Sequence, residues 1–559
     1  MGCIKKASIA LIVLLDGDLV DSPEHLGVSI LAACLREHGH DSKIFDVAPD
    51  QDENVIQAIL DMRPDMAGLS LTTVNLTRAK QFGDSLRRKL NKDSPILLGG
   101  PVATFCGSAL FSNSNWEFAD GIVRGEADHA IVQIAEKLAS KMPLIGINGL
   151  QMRGAEPSVI PVASVRQIDK LPWPVRDQLE EHGSLPYLRL STTRGCTSAC
   201  TFCNAPHAGN NIASAKLWRQ RSPSCILKEI QHLNKTYGAT TFDFVDSTFE
   251  DPSQHPKGKQ RVQEIAEAIL STDLSIYFNI CSQAINWHED DKPLIKQLVK
   301  AGLEKVLIGV ESGYEPALRR YGKRATVEDN TRAISLFASE GVYVAFGFIM
   351  FDPLGTFEEL YANTKFLHQH IGHNLRRFLT RLELYPGAQV IDNLRNENLL
   401  GPNYESELNP YDYKYLDDRI RRLADAMSAI ISDDYMHDGT ALIDSPVVKF
   451  ETFSIETHTF ISRLLRRYSN TDFYVDIASA QSEIKQIYRH LSDVNYDMFT
   501  NAIKCAEQDL DFPDNIKSKI DQEYVTALSL IRTIKIRLGM KLSRAGLPLS
   551  QIRTDRLQA

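Results

Sequence analysis

The sequence is short of the features that mark several protein classes. No apolar run reaches the ~18 residues that a membrane-spanning helix needs, and the apolar stretch over 7–15 is not followed by a small-residue cleavage site. Membrane spanning and secretion are therefore not expected. Positive charge is not in excess: 62 Lys and Arg stand against 71 Asp and Glu, a formal net charge of -9. Neutralising phosphates needs clustered positive charge, so nucleic acid is not an expected partner and a small or acyl substrate fits better. No internal repeat, heptad seam or low-complexity tract is present, which removes solenoids, coiled coils and disordered tails. Cysteines are few. Their count of nine is odd and three are bunched, so a disulfide framework is not expected and a reducing cytoplasmic setting is.

What is present is ordinary globular material. Hydrophobic residues make up 43% and charged residues 24% of 559, enough apolar surface for real cores and enough length for three or four domains. The start, Met1-Gly2-Cys3-Ile4-Lys5-Lys6, approaches a myristoylation pattern, but Lys6 stands where Ser or Thr is required, and a plain disordered start accounts for it.

Along residues 1–150, short apolar runs over 8–15, 42–46, 66–71, 95–98 and 121–123 alternate with helical periodicity. Leu26, Ile30, Leu31 and Leu35 share one helix face, and Val55, Ile59 and Met62 another. This predicts an α/β doubly wound parallel sheet, which binds ligands at the carboxyl ends of its strands. Residues 151–186, with prolines at positions 157, 161, 172 and 174, read as a linker. Alternation returns over 187–400, with strands expected at 188–192, 241–245, 276–280, 305–310, 343–350 and 378–384, a partial (β/α)6 barrel of TIM type. From 401 to 559 helical patterns dominate, for instance over 420–431, 461–468 and 524–538.

The sharpest chemical signal is Arg194-Gly195-Cys196-Thr197-Ser198-Ala199-Cys200-Thr201-Phe202-Cys203, directly after the first strand of the second αβ block. Thiolates of Cys196, Cys200 and Cys203 at CxxxCxxC spacing can hold one face of a four-iron four-sulfur cube, leaving one iron open to a chelating small molecule. The same residues with His207 could instead form a Cys3His zinc staple. Such staples usually brace small modules without a core, whereas this loop sits at the mouth of a large αβ block.

The segment resembles the radical S-adenosylmethionine enzymes. Further segments match in order over about 200 residues: Trp218-Arg219-Gln220-Arg221-Ser222-Pro223 with Glu229-Ile230, Phe244-Val245-Asp246, Ile308-Gly309-Val310-Glu311-Ser312-Gly313 with Lys323 beyond, and Leu384-Tyr385-Pro386-Gly387. The resemblance implies that the open iron takes S-adenosylmethionine and that an electron from the cluster yields methionine and a deoxyadenosyl radical. It implies that Phe202 packs against adenine, though core filling also explains a Phe there. Glu311 and Ser312 would meet ribose and methionine, and Lys323 the methionine carboxylate, unless it is a solvated surface lysine. Asp246 would face the same site, or cap a helix. The family often carries Arg after the third strand, where this chain has Cys281-Ser282-Gln283.

A doubly wound domain placed before such a barrel is similar to the cobalamin-binding subfamily. Its habit is matched by Gly68-Leu69-Ser70-Leu71-Thr72-Thr73, Leu98-Gly99-Gly100-Pro101 and Val123-Arg124-Gly125-Glu126. The resemblance implies cobalamin contacts at Ser70, Thr72, Thr73, Gly99, Gly100, Pro101, Gly125 and Glu126, with glycines letting the backbone approach a flat macrocycle. No Asp-x-His-x-x-Gly motif occurs, so cobalt would lack the axial histidine that motif supplies. The function implied is methylation of an unactivated carbon of a small, natural-product type substrate through the deoxyadenosyl radical and methylcobalamin. A cobalamin-dependent cyclisation, ring contraction or rearrangement is the alternative, and a zinc-stapled protein without turnover the reading from another class. No second cysteine triplet points to a methylthiotransferase. The implied electron donor is a flavodoxin or ferredoxin.

Overall fold

The computed structural model describes residues 6–15, 24–155, 163–177, 179, 187–205, 218–250, 257–431, 445–513 and 515–546. Gly2 and His207 lie outside them. The chain divides into two compact units: Met1–Leu274 with Leu384–Asn393 and Pro402–Asp412, and Ser275–Glu383 with Leu394–Gly401 and Tyr413–Ala559.

The first unit is built on β1 (Ser8–Leu14), β2 (Asp41–Val47), β3 (Met66–Ser70), β4 (Ile96–Gly99), β5 (Gly121–Val123) and β6 (Leu150–Met152), ordered β2-β1-β3-β4-β5-β6. The first five pair in parallel, and β6 closes the edge antiparallel to β5. β1 reads as one apolar run because both its faces are covered, as a strand inside a parallel sheet requires. Helices α1 (Leu26–Glu37) and α2 (Asp128–Ala139) pack together and share a core with β1 through Leu11, Val13, Ile30, Leu35, Ile131 and Ile134. The five strand expectations hold to within two residues at their ends. The short antiparallel β6 was not legible, since three residues carry no readable period. The strand order reverses between β1 and β3, where such sheets open a ligand crevice.

The same unit carries β7 (Leu188–Leu190) parallel to β10 (Thr241–Phe244), and an antiparallel hairpin of β8 (Thr193–Gly195) with β9 (Trp218–Gln220). Helix Pro223–Tyr237 follows β9. Ser222 caps it by accepting from the Cys225 amide, Pro223 opens it, and Gly238 ends it at φ 68.

In the second unit β11 (Tyr277–Ser282), β12 (Leu303–Glu311) and β13 (Tyr343–Phe348) run parallel in that order. The strand expected over 378–384 is corrected. Leu375–Phe378 is a 3-10 turn, and only a single parallel bridge joins Phe351 to Arg381. Backbone bonds there are confined to Thr380 and Leu382 against Met350 and Phe351, and the buried Arg381 side chain donates to Ser428 Oγ at 3.0 Å and Asp425 at 2.8 Å. Of the expected C-terminal helices, the first lies at Asp418–Ser428 and the other two are longer than expected, Pro446–Arg467 and Ile516–Arg544; a further long helix spans Phe473–Glu507.

Candidate functional site

The cysteine loop leaves β8 at Gly195, whose φ of 87 suits glycine at this sharp exit. Cys196 and Cys200 are buried and Cys203 half-buried, none in a disulfide. The loop is fastened at both ends. At its start, Asp246 after β10 accepts from the Thr192 and Thr193 amides at 2.7 Å and from the Thr192 hydroxyl. At its end, the Thr201 carbonyl accepts from the Val390 amide at 2.8 Å, and Asn204 donates to the Pro386 carbonyl at 3.3 Å. The Tyr385-Pro386-Gly387 segment thus has a physical task beside the cysteines. Gly387 must be glycine there: its φ is 84, and a Cβ would lie 2.3 Å from Phe105.

Asp246 thus anchors the base of the loop. Its carboxylate is 3% exposed and committed to the loop base. Burial pushes its carboxyl up, and the Thr192 hydrogen bond opposes that. Phe202 is half-buried beside Cys203. Among the described residues no three His, Cys, Asp or Glu side chains converge as a single ion needs. A cube asks for less convergence, because each thiolate takes its own iron.

In the second unit Glu311 ends β12 beside a register shift, with φ 67, a left-handed conformation rare for a glutamate. Its carboxylate occupies space that neighbouring side chains would fill: a Cβ on Gly309 would lie 3.0 Å from Glu311 Oε1, and one on Gly347 3.1 Å from Oε2. Lys323 is no surface lysine. Its Nζ lies 3.7 Å from Glu311 and donates to the Gly309 carbonyl at 2.7 Å. Burial pushes the Glu311 carboxyl up and Lys323 draws it back. Ser312 is fully buried, and its hydroxyl donates to Asn363 at 2.8 Å, which shapes the turn after β12.

The N-terminal sheet opens at its strand ends into a cavity of about 490 Å³. Ser70, Thr72, Gly99, Gly100, Pro101, Gly125 and Glu126 line it, and Thr73 does not. Asn75 braces the β3 loop by donating to the Ser70 carbonyl and accepting from the Thr72 amide. Gly100, at φ 88, has its missing Cβ 2.6 Å from the Leu71 carbonyl. Glycine there lets the turn after β4 pack tightly against the Leu71 backbone. The interior is apolar, lined by Leu11, Met66, Leu97 and Ile131.

Four polar lining residues were not legible as a set: His25, Asp128, Arg189 and Arg194. They come from separate segments, although a basic residue two before the first cysteine is a readable signal for Arg194. The Arg194 guanidinium donates to both Asp128 oxygens at 2.9 Å. Arg219 on β9 donates to Glu126 at 2.6 and 2.8 Å. Two ion pairs thus tie the hairpin around the cysteine loop to the rim of the cavity. Glu126, expected as a cobalamin contact, spends its carboxylate on Arg219 and the Val165 amide.

The comparisons agree with this division of labour. Residues 18–135 match the B12 binding domain, and residues 190–367 match the radical SAM superfamily, together more than half of the chain. The chain belongs to the cobalamin-binding radical S-adenosylmethionine enzymes. It is 26% identical over 383 residues to an uncharacterised methyltransferase of Pyrococcus horikoshii, covering 67% of this chain and 79% of that one. It is 25% identical over 340 residues to the anaerobic magnesium-protoporphyrin IX monomethyl ester cyclase of Rubrivivax gelatinosus, covering 58% of each, so the chain spans little more than half of that relative. The structure of the cobalamin-dependent S-adenosylmethionine radical enzyme OxsB, with aqua-cobalamin and S-adenosylmethionine bound, has the same fold at a TM-score of 0.65 and 21% identity, covering 94% of this chain and 84% of that one. No described helix is long and apolar enough to cross a membrane.

Proposed function

We propose that this radical S-adenosylmethionine enzyme methylates an unactivated carbon of a small, natural-product type substrate. The carrying observation is the pair of ion bridges, Arg194 to Asp128 and Arg219 to Glu126, that binds the cysteine loop to the cavity rim within one compact unit. A loop and a rim so joined suit chemistry in which two cofactors act on one substrate. When bound, the cluster and S-adenosylmethionine supply a hydrogen-abstracting radical, and cobalamin supplies a methyl carrier.

The chain's residues bind and orient. Cys196, Cys200 and Cys203 hold the cluster, and Asp246 fixes the start of their loop. Phe202 lies beside the third thiolate, where an adenine ring can pack. Glu311, held by Lys323 between Gly309 and Gly347, offers carboxylate oxygens to ribose hydroxyls. Ser70, Thr72, Gly99, Gly100, Pro101 and Gly125 form the corrin rim. The helical region after residue 401 shapes the substrate cavity, and a flavodoxin or ferredoxin delivers the electron. The likeness to a cyclase favours a second reading, cyclisation or rearrangement without methyl delivery.

The deciding experiment is anaerobic turnover with deuterated-methyl S-adenosylmethionine, a reductant and candidate substrates. Label in the product with equal S-adenosylhomocysteine and deoxyadenosine supports methylation. An unlabelled, rearranged product with deoxyadenosine alone assigns the second reading.

A further inference from the structure

Within the first unit a second cleft, of about 410 Å³, is lined by the linker, by Arg36 of α1 and by the helix Pro223–Tyr237. Trp173, His232 and Tyr237 form its aromatic wall, with the Trp173 and His232 rings 5.3 Å apart. His232 is exposed, and so are Lys228 and Lys235, which flank it one turn away on the same helix face. Lys170, three positions before Trp173, is exposed as well. No ion pair engages these three lysines among the described residues. The two carboxylates that line the cleft are already committed: Asp177 to Arg36 at 2.8 Å, and Glu229 to Arg221 at 2.6 Å. Asp169, beside it, accepts from the Ser222 amide at 2.9 Å. The cleft is thus flanked by uncompensated positive charge, on a chain whose formal net charge is -9. Trp173 has a second side. It also lines a void of about 30 Å³ shared with Ser191, Arg194, Arg221 and Glu229, which has the room and the polar partners for a water. Arg194 stands two positions before Cys196, so the indole is the partition between the surface cleft and the root of the cysteine loop.

We propose that this cleft docks a small acidic protein that carries one electron, and that Trp173 is the packed bridge over which the electron reaches the cluster held by Cys196, Cys200 and Cys203. The inference rests on the electron donor proposed above and adds the surface that receives it. Free lysines around a cleft steer an acidic surface onto it and fix its orientation. They would attract a small anion equally well. The continuity from the cleft through Trp173 to the cysteine loop decides between the two, because only an electron carrier has a use for it. Trp is also among the side chains that anchor protein interfaces. The step balances simply: one electron leaves the reduced carrier and enters the cluster, no bond forms or breaks, and the carrier departs oxidised. The indole itself is neither oxidised nor reduced. Its packed atoms replace open solvent along the path.

The test uses full-length protein with its cluster reconstituted anaerobically, an acidic flavodoxin and an acidic ferredoxin as probes, and dithionite as a small reductant that needs no docking surface. Calorimetry at low and high salt measures carrier binding, and stopped-flow absorbance measures reduction of the cluster. Replacing both lysines of the helix, Lys228→Glu with Lys235→Glu, should weaken carrier binding about 10-fold at low salt and flatten its salt dependence, with reduction by dithionite unchanged. At saturating carrier, Trp173→Leu should slow reduction of the cluster several-fold and leave the dithionite rate as it was. Trp173→Phe keeps a ring in the partition, should slow transfer less, and serves if the leucine variant does not fold. Native carrier binding in the lysine variant overturns the docking surface. Native transfer at saturation in Trp173→Leu, or an equal slowing with dithionite, overturns the bridge. Binding of inorganic phosphate at these lysines without binding of either carrier makes the cleft a small-anion site and overturns the proposal as well. If neither carrier reduces the native cluster where dithionite does, the donor reading itself fails; the surface fails separately, when the native protein accepts the electron and the lysine variant accepts it equally.

Discussion

Arg194 and Asp128 meet through two parallel hydrogen bonds of 2.9 Å, a fork-to-carboxylate geometry that joins the strand before Cys196 to the first turn of α2. Asp128 is 4% exposed and Arg194 is mostly covered, with its guanidinium held firmly charged by the pairing. Breaking one partner of a buried pair leaves the other charge uncompensated. Asp128→Asn is expected to destabilise the protein by about 3–5 kcal/mol and to lower iron content and hydroxocobalamin uptake together. A variant with normal melting, iron and corrin uptake would show that the pair fastens nothing.

Replacing Cys196, Cys200 and Cys203 with alanine should remove the brown colour and the roughly four irons per chain that a cube brings, while the protein still folds. The thiols lie in a loop whose ends are held independently, by Asp246 and by Val390. Full iron in the triple variant would place the cluster elsewhere. Stoichiometric zinc in the native protein, lost in the variant, would restore the Cys3His reading.

The cysteine loop was legible because three thiols at fixed spacing act locally, and the five strands of the first sheet because apolar runs alternate with helical periods. Asp246 and Ser312 were legible as strand-end polar residues but not in their tasks. Only the folded chain brings Asp246 to the Thr192 and Thr193 amides, or Ser312 to Asn363, 51 positions away. His25, Asp128 and Arg194 converge from three segments, and no period or motif links them. Lys323, equally well read as a surface residue, is settled by its bond to the Gly309 carbonyl.

Gly100 tests whether the rim must be bare backbone. With φ at 88 and the Leu71 carbonyl 2.6 Å from any Cβ, Gly100→Val is expected to cost about 1–3 kcal/mol of stability. It should also block corrin uptake at temperatures where the protein stays folded. Uptake equal to that of the native chain would remove the rim from the cobalamin site.

Acid should weaken the second unit. Burial lowers the His373 pKa to about 4, and the ring stacks on Tyr488 at 4.4 Å. The unfolded chain therefore takes up that proton first, and the contribution of neutral His373, complete above its ordinary value of 6.5, drains away as pH falls toward 4. Glu451 acts in the next window. It is buried against Arg377 and Arg376, which hold its pKa near 2, so its contribution is complete above 4.5 and is lost as pH falls toward 2. His373→Phe keeps the ring stack and removes the titration. Its melting temperature should drop less between pH 7 and pH 5 than that of the native chain, and an identical drop would show that His373 does not titrate with folding.

Glu311 is the residue whose backbone and carboxylate are both held under constraint. Its φ of 67 is unfavourable for a side-chain-bearing residue, and two glycines leave room for its oxygens. Burial pushes its carboxyl up, and Lys323 opposes that. A chain that maintains such an arrangement at a strand end holds an acceptor ready for hydroxyl groups, as the ribose of S-adenosylmethionine presents. Glu311→Gln keeps size and geometry but loses the charge that strengthens those bonds, which are worth about 1.5–3 kcal/mol to a charged partner. Affinity for S-adenosylmethionine in anaerobically reconstituted protein is expected to fall about 10- to 100-fold, with iron content unchanged because the cysteine loop is held by other residues. Equilibrium binding of labelled S-adenosylmethionine measures it. Unchanged affinity in Glu311→Gln would mean that the carboxylate is kept for Lys323 alone and that the cofactor's ribose is recognised elsewhere.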